Sequence, residues 1–106
     1  MNPEPFLQLD RTIHEKGRLA IMSLLAASPS LLYTDIRDTL RMTDGNATAH
    51  LRTLLEAGYV AVTKSLEGGR AATSYALTGT GRSAFAEYVG LLEQIVAQTR
   101  PSPPAP

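Results

Sequence analysis

Between Gly45 and Ala57 the chain carries a run, GNATAHLRTLLEA, whose two sides differ in chemistry. At about 100° per residue, Ala47, Leu51, Leu54 and Leu55 fall on one side of a helix. Gly45, Asn46, Ala49, Arg52, Thr53 and Glu56 fall on the other, with Thr48 and His50 on the flanks. The outward side of the first half is small and polar, which is what a helix needs to enter the major groove of duplex DNA. There Asn46 has the amide geometry to pair with adenine, Arg52 the reach for guanine or a phosphate, and Ala49 a methyl suited to thymine. The helix start adds backbone N–H groups and the positive end of a dipole. An ordinary surface helix tolerates the same residues, so the meaning of the run depends on its neighbours.

Those neighbours form a recurrent arrangement. A shorter helix, Asp35 to about Arg41, has Ile36 and Leu40 facing inward four residues apart, and a Met-Thr-Asp-Gly break separates it from the longer one. Thr34 and Asp44 stand where N-caps belong, and Gly58 where a left-handed C-terminal residue is easiest. Two such helices predict a helix-turn-helix, with Thr34, Arg37 and Arg41 beside the backbone of a bound duplex and Asn46, Thr48, Ala49, His50, Arg52 and Thr53 on its reading side. From Tyr59 to Thr78 the pattern shifts to period two, interrupted by Glu67-Gly68-Gly69-Arg70. This predicts a hairpin, a wing over 64–73 whose Lys64 and Arg70 would meet backbone or minor groove.

The flanking helices must hold this unit. From about Arg11 to Ala27, Ile13, Gly17, Ala20, Ile21 and Leu24 make one stripe, while Leu19, Met22 and Ala26 lie opposite. Gly17, a poor residue inside a helix, marks either a helix start near Glu15 or a close crossing. A last helix, about 79–98, carries Phe85, Val89, Leu92 and Val96 on one stripe and Ala84, Tyr88, Leu91 and Ile95 on another. A helix apolar on two sides needs two covers. For the first helix, the second cover is either a partner chain or the chain's own arm and later helix. For the last, a homodimer fits best, with Leu19, Met22, Tyr88, Leu91, Leu92 and Ile95 at its interface. Residues 1–9, with Pro3 and Pro5, are expected to be an extended arm, residues 10–98 the folded domain, and 99–106 (TRPSPPAP) a disordered Pro-rich tail. The fold class is α+β, mainly α: a winged helix-turn-helix with a three-helix core, a two-stranded wing and a long C-terminal dimerisation helix.

Composition narrows the alternatives. Without cysteine there is neither a disulfide framework nor a thiolate zinc site, and two histidines without companions do not make a metal centre. His14 is expected to cap or pack, and His50 to pack or touch a phosphate. No cofactor is expected. Neither a signal peptide nor an apolar run of about 18 residues is visible, so the expectation is a cytoplasmic protein with no membrane partner. No nucleophile elbow, phosphate loop or paired carboxylates suggest an enzyme. Ten Lys and Arg balance ten Asp and Glu, so a positive patch must come from placement.

The succession DxIHxxxRLxIMxLL, then TDGNATAHLRTLLEAGYV, a Gly-Gly wing and YALTGTGR resembles the small winged-helix transcriptional regulators of bacteria and archaea, relatives of the MarR and ArsR types. The matching residues include Asp10, Ile13-His14, Arg18-Leu19, Asp44-Gly45-Asn46, His50-Leu51, Glu56-Ala57-Gly58-Tyr59 and Leu77-Thr78 with Gly81-Arg82, and the resemblance covers about 9–97. It implies a dimer that binds a partly palindromic double-stranded DNA operator with helix 44–57 in the major groove, usually as a repressor. Ala47 departs from the pattern, in which a large apolar residue often follows Asp-Gly-Asn. Two alternatives stand beside this reading. One is a winged-helix protein–protein adaptor, favoured by the neutral charge. The other is a regulator switched by a small-molecule effector at the dimer interface near Leu19, Met22, Tyr88 and Leu91.

Overall fold

A computed structural model describes residues 1–100; the Pro-rich segment 101–106 lies outside the described residues. Five helices and three strands follow in the order α1 (Glu4–Leu7), α2 (Lys16–Ala26), β1 (Leu31–Leu32), α3 (Tyr33–Thr39), α4 (Asp44–Glu56), β2 (Val60–Glu67), β3 (Arg70–Leu77) and α5 (Gly79–Thr99). The three strands form one antiparallel sheet in the order β1-β3-β2. The predicted wing is therefore a hairpin extended by a third strand, with Leu31 opposite Tyr75 and Leu32 opposite Ser74. Gly68 and Gly69 close the hairpin with φ of 57° and 80°, the left-handed pair that a two-residue turn between twisted strands requires. The architecture is a winged helix.

Ile13, Ile21, Met22, Leu25, Ile36, Leu51, Leu54, Val60, Leu77 and Tyr88 pack into one core. This corrects the expected dimer surface. Met22 and Tyr88 are 0% and 1% exposed in the single chain, and Leu91 is buried as well, so all three are covered by the chain's own elements. The inward stripe of α5 is the one containing Ala84, Tyr88 and Leu91. The stripe turned outward is Phe85, Val89, Leu92 and Val96, with Val96 exposed and the first three half-buried. Of the residues expected at an interface, Leu19, Leu92 and Ile95 keep partial exposure.

The N-terminal third differs from its expected form in two places. Residues 4–7 are a helical turn, not an extended arm. It lies beside the far end of α5, where the Asn2 N–H donates to Gln98 Oε1 at 2.7 Å and Gln98 Nε2 donates back to the Asn2 carbonyl at 3.1 Å. Pro5 is buried, whereas Phe6 and Leu7 stay exposed. The next helix begins at Lys16, at the start near Glu15 that Gly17 suggests and not at Arg11. Asp10 caps a separate turn by accepting the N–H groups of Thr12 and Ile13, and Glu15 caps α2 by accepting the Arg18 N–H at 2.8 Å. That N–H, more than any other group, holds the Glu15 carboxyl below its ordinary range.

Two tyrosines fasten this turn to the body. Tyr88 Oη lies 2.7 Å from His14 Nδ1, and the Tyr59 hydroxyl donates to Asp10. The Asp10 bond, with burial, pushes the Tyr59 phenol up to about 12 from 10.0. A folded value above the unfolded one means that this contribution is complete below pH 10 and is lost as the pH rises toward 12. Denaturant titrations across that window are expected to show wild-type stability falling more steeply than that of Tyr59→Phe. Parallel curves would remove the phenol from the account.

A tight joint links α4, the hairpin and α5. The Thr78 hydroxyl donates to the Gly58 carbonyl at 2.6 Å and accepts the Gly81 N–H at 2.9 Å, while the Thr78 N–H donates to the Tyr59 carbonyl at 3.1 Å. Gly81 is buried there, and a Cβ on it would lie 2.0 Å from the Tyr59 carbonyl oxygen.

Candidate nucleic-acid interface

α4 is amphipathic in the expected sense: Ala47, Leu51 and Leu54 are buried, and Gly45, Asn46, Thr48, Ala49, Arg52 and Glu56 are exposed. Its cap is Thr43, not Asp44. The Thr43 side chain accepts the Asn46 N–H at 3.1 Å, which places Asp44 in the first turn. Thr34 likewise lies inside α3, whose N-cap is Leu32, and its side chain is exposed. Asn46, Ala49 and Arg52 thus present a small amide, a methyl and a guanidinium to solvent from one firmly capped helix. Arg41, Arg52 and Lys64 have no ion-pair partner among the described residues. The exposed hairpin carries Lys64 and Arg70 outward, and an eight-residue strand reaches about 25 Å from its root.

Three expected contact residues are otherwise engaged. Thr53 is half-buried and its hydroxyl donates to the Ala49 carbonyl at 3.2 Å. His50 turns toward α2: its Nδ1 is 3.6 Å from Glu15 Oε1, and its ring lies where a Cβ on Gly17 would approach it to 2.7 Å. It is a packing residue at the α2–α4 crossing, and Gly17 is the residue that permits the approach. Arg37 donates from Nε to Asp38 and from Nη1 to Asp44, both at 2.8 Å, with its guanidinium 5.7 Å from the centre of the Tyr33 ring.

Sequence reasoning did not find Tyr33 as a polar participant. Its hydroxyl donates to Asp44 Oδ1 at 2.9 Å and lies 3.3 Å from Thr48 Oγ1. The partners are eleven and fifteen residues away in a different helix, α4, a spacing that no periodicity links to Tyr33. Arg37 and then Tyr33 lower the Asp44 carboxyl below its ordinary range, and Asp38 and Asp44 raise Arg37 further.

Arg41 occupies a costly backbone state. Its φ is 54°, the left-handed region, in the turn that closes α3, where the Met42 N–H reaches back to the Arg37 carbonyl. Arg41→Gly is expected to raise folding stability by about 0.5–1 kcal/mol while weakening duplex binding and reducing its salt slope by about one. Thermal melts and salt-dependent titrations measure the two effects separately. Equal affinity in both proteins would leave Arg41 no role in binding.

A family model described as "Winged helix DNA-binding domain" matches residues 18–96. An uncharacterized protein of Methanocaldococcus jannaschii is 36% identical over 72 residues, covering 68% of this chain and 78% of its own. Among solved structures, a transcriptional regulator homologue from Pyrococcus horikoshii OT3 superposes with a TM-score of 0.83 at 22% identity, over 92% of this chain and 97% of that one. NadR, in complex with 4-hydroxyphenylacetate, does so with a TM-score of 0.70 at 20% identity, over 90% and 67%.

Proposed function

We propose that this chain, which belongs to the winged helix DNA-binding domain family, is a sequence-specific transcriptional regulator, a repressor that acts as a homodimer. α4 reads the major groove through Asn46, Ala49 and Arg52. Thr48 and Arg41 flank it, and Lys64 and Arg70 on the wing meet backbone or minor groove. The observation that carries this reading is the exposed, small and polar face of a capped α4 that runs through one glycine into a basic hairpin. Pairing would use the outward stripe of α5, Val89, Leu92 and Val96, which is apolar and only partly covered by the chain itself. The folded unit then comprises α2 to α5, with α1 as a strap on α5 in place of a free arm.

Titration of the fragment upstream of its own gene, at two salt concentrations, tests the assignment. Arg52→Ala/Arg70→Ala is expected to lose about 1–3 kcal/mol for each base contact removed, and about one unit of log–log salt slope for each phosphate contact. Undiminished binding by the double variant would overturn these contacts. Failure to bind any genomic fragment, together with a stable complex with another protein, would favour an adaptor.

A second reading, control by a small molecule, is supported by a cavity of about 500 Å³ lined by Phe6, Leu7, Leu9, Arg11 and His14. A mainly apolar wall with one arginine suits a small organic acid, the class to which the ligand of NadR belongs.

A further inference from the structure

The first turn of α4 already holds an anion. Asp44 Oδ1 accepts from Arg37 Nη1 at 2.8 Å and from the Tyr33 hydroxyl at 2.9 Å, and that hydroxyl is within 3.3 Å of Thr48 Oγ1. An arginine and a tyrosine hydroxyl at the start of a reading helix are donors of the kind that position a DNA backbone phosphate. Here a carboxylate of the same chain occupies Arg37 Nη1 and the Tyr33 hydroxyl. The Asp44 side chain is 73% exposed and the Arg37 side chain 28%, so the pair lies at the surface and can open without disturbing the core. Helix capping does not require Asp44, because Thr43 performs it.

We propose that Asp44 is a specificity-determining residue, an internal stand-in for a DNA phosphate that keeps Arg37 and Tyr33 from a loosely docked duplex. The inference rests on the DNA-binding reading. A duplex of any sequence that drifts against α4 meets a carboxylate, and Arg37 contributes no net attraction because two carboxylates, Asp38 and Asp44, more than offset its charge. A duplex whose base edges fit Asn46, Ala49 and Arg52 seats closer. It then brings a phosphate to the start of α4 and draws Arg37 and the Tyr33 hydroxyl from Asp44. The exchange puts one anion in place of another at the same donors and leaves the exposed Asp44 carboxylate to turn to solvent, so it proceeds only when base contacts hold the phosphate in place. Discrimination then arises at a residue that touches no base.

The test uses the full chain and two probes: a mixed-sequence synthetic duplex, and a duplex selected by the wild-type protein from a random pool. Asp44→Asn keeps the shape and removes the charge. It is expected to bind the mixed duplex at least about threefold more tightly at low salt, with a log–log salt slope steeper by about one. Its preference for the selected duplex should shrink accordingly. Asp44→Asn/Arg37→Gln should return mixed-duplex binding to the wild-type level or below. Unchanged or weaker mixed-duplex binding by Asp44→Asn, with wild-type circular dichroism, would overturn the proposal. If the wild-type protein enriches no duplex from the pool, the DNA-binding reading itself fails. A readout free of DNA separates the two cases: the Asp44 carboxyl, followed by NMR titration, should rise toward its ordinary value in Arg37→Gln, and a titration unmoved by that change would refute the pairing.

Discussion

Gly81→Ala is expected to destabilise the protein by about 3 kcal/mol or more. The added methyl would lie 2.0 Å from the Tyr59 carbonyl oxygen and 2.9 Å from its carbon, both backbone atoms of the segment leaving α4. A flexible side chain can rotate away from such an encounter, but this segment cannot. The same carbonyl accepts the Thr78 N–H, and Thr78 is tied to Gly58 and to Gly81 itself. Relief requires α5 to withdraw from α4, which breaks the joint. For a domain of this size the loss corresponds to a fall in Tm of more than about 12 °C. Gly90→Ala, also within α5, is the control: nothing lies within 4 Å of its Cβ position. Helix propensity then predicts a change within about 1 kcal/mol, in the stabilising direction. Comparable melts for the two variants would show that α5 does not approach Tyr59 as described.

Tyr88→Ala is expected to cost about 3–5 kcal/mol by opening a cavity in the core. The ring is 1% exposed, lies in one cluster with Ile13, Ile21 and Leu25, and holds His14 through its hydroxyl. Tyr88→Phe keeps the packing and should cost only about 0.5–1.5 kcal/mol. Val96→Asp alters a side chain that is 47% exposed and should leave the fold nearly unchanged, while preventing association if two chains pair through α5 as proposed. Denaturant unfolding with sedimentation at several concentrations separates these outcomes. If Tyr88→Ala changed association and left unfolding untouched, Tyr88 would belong to an interface and not to the core.

These variants also mark where the sequence was legible. α4 could be placed to within a residue because its buried positions recur at helical spacing and Gly58, with φ 78°, ends it. The hairpin was legible from two glycines between alternating runs. The choice of α5 stripe was not. Ala84-Tyr88-Leu91-Ile95 and Phe85-Val89-Leu92-Val96 are equally apolar and sit about 100° apart on the helix, so periodicity supplies no preference. Tertiary structure decides, because Tyr88 carries a hydroxyl that needs a partner when buried and His14 provides it. The start of α2 was left between Arg11 and Glu15 for a related reason. Ile13 continues the stripe of the helix although it belongs to the preceding turn, capped by Asp10.

The candidate site divides along similar lines. Exposure of Asn46, Ala49 and Arg52 follows from the helical wheel of α4 and matched it. The engagement of Arg37, His50 and Thr53 depends on which side chains other helices bring near them, and spacing within one helix holds no information about that. Thr43 and Asp44 are adjacent residues that can both cap a helix. Only the backbone, extended at Thr43 with ψ 159°, selects between them.

The joint at Thr78 has a mechanical meaning. One hydroxyl grips the carbonyl that follows α4 and the amide that begins α5, and the absence of a side chain on Gly81 removes the clearance between them. The long helix and α4 are therefore held like the two arms of a bell crank, with a pivot where Gly58 and Tyr59 meet Thr78 and Gly81. In that geometry a tilt of the long arm would be converted into a swing of the short one. Stiffness at that pivot fixes how faithfully an event at the far end of α5, where α1 lies against it, is geared to the pitch of α4.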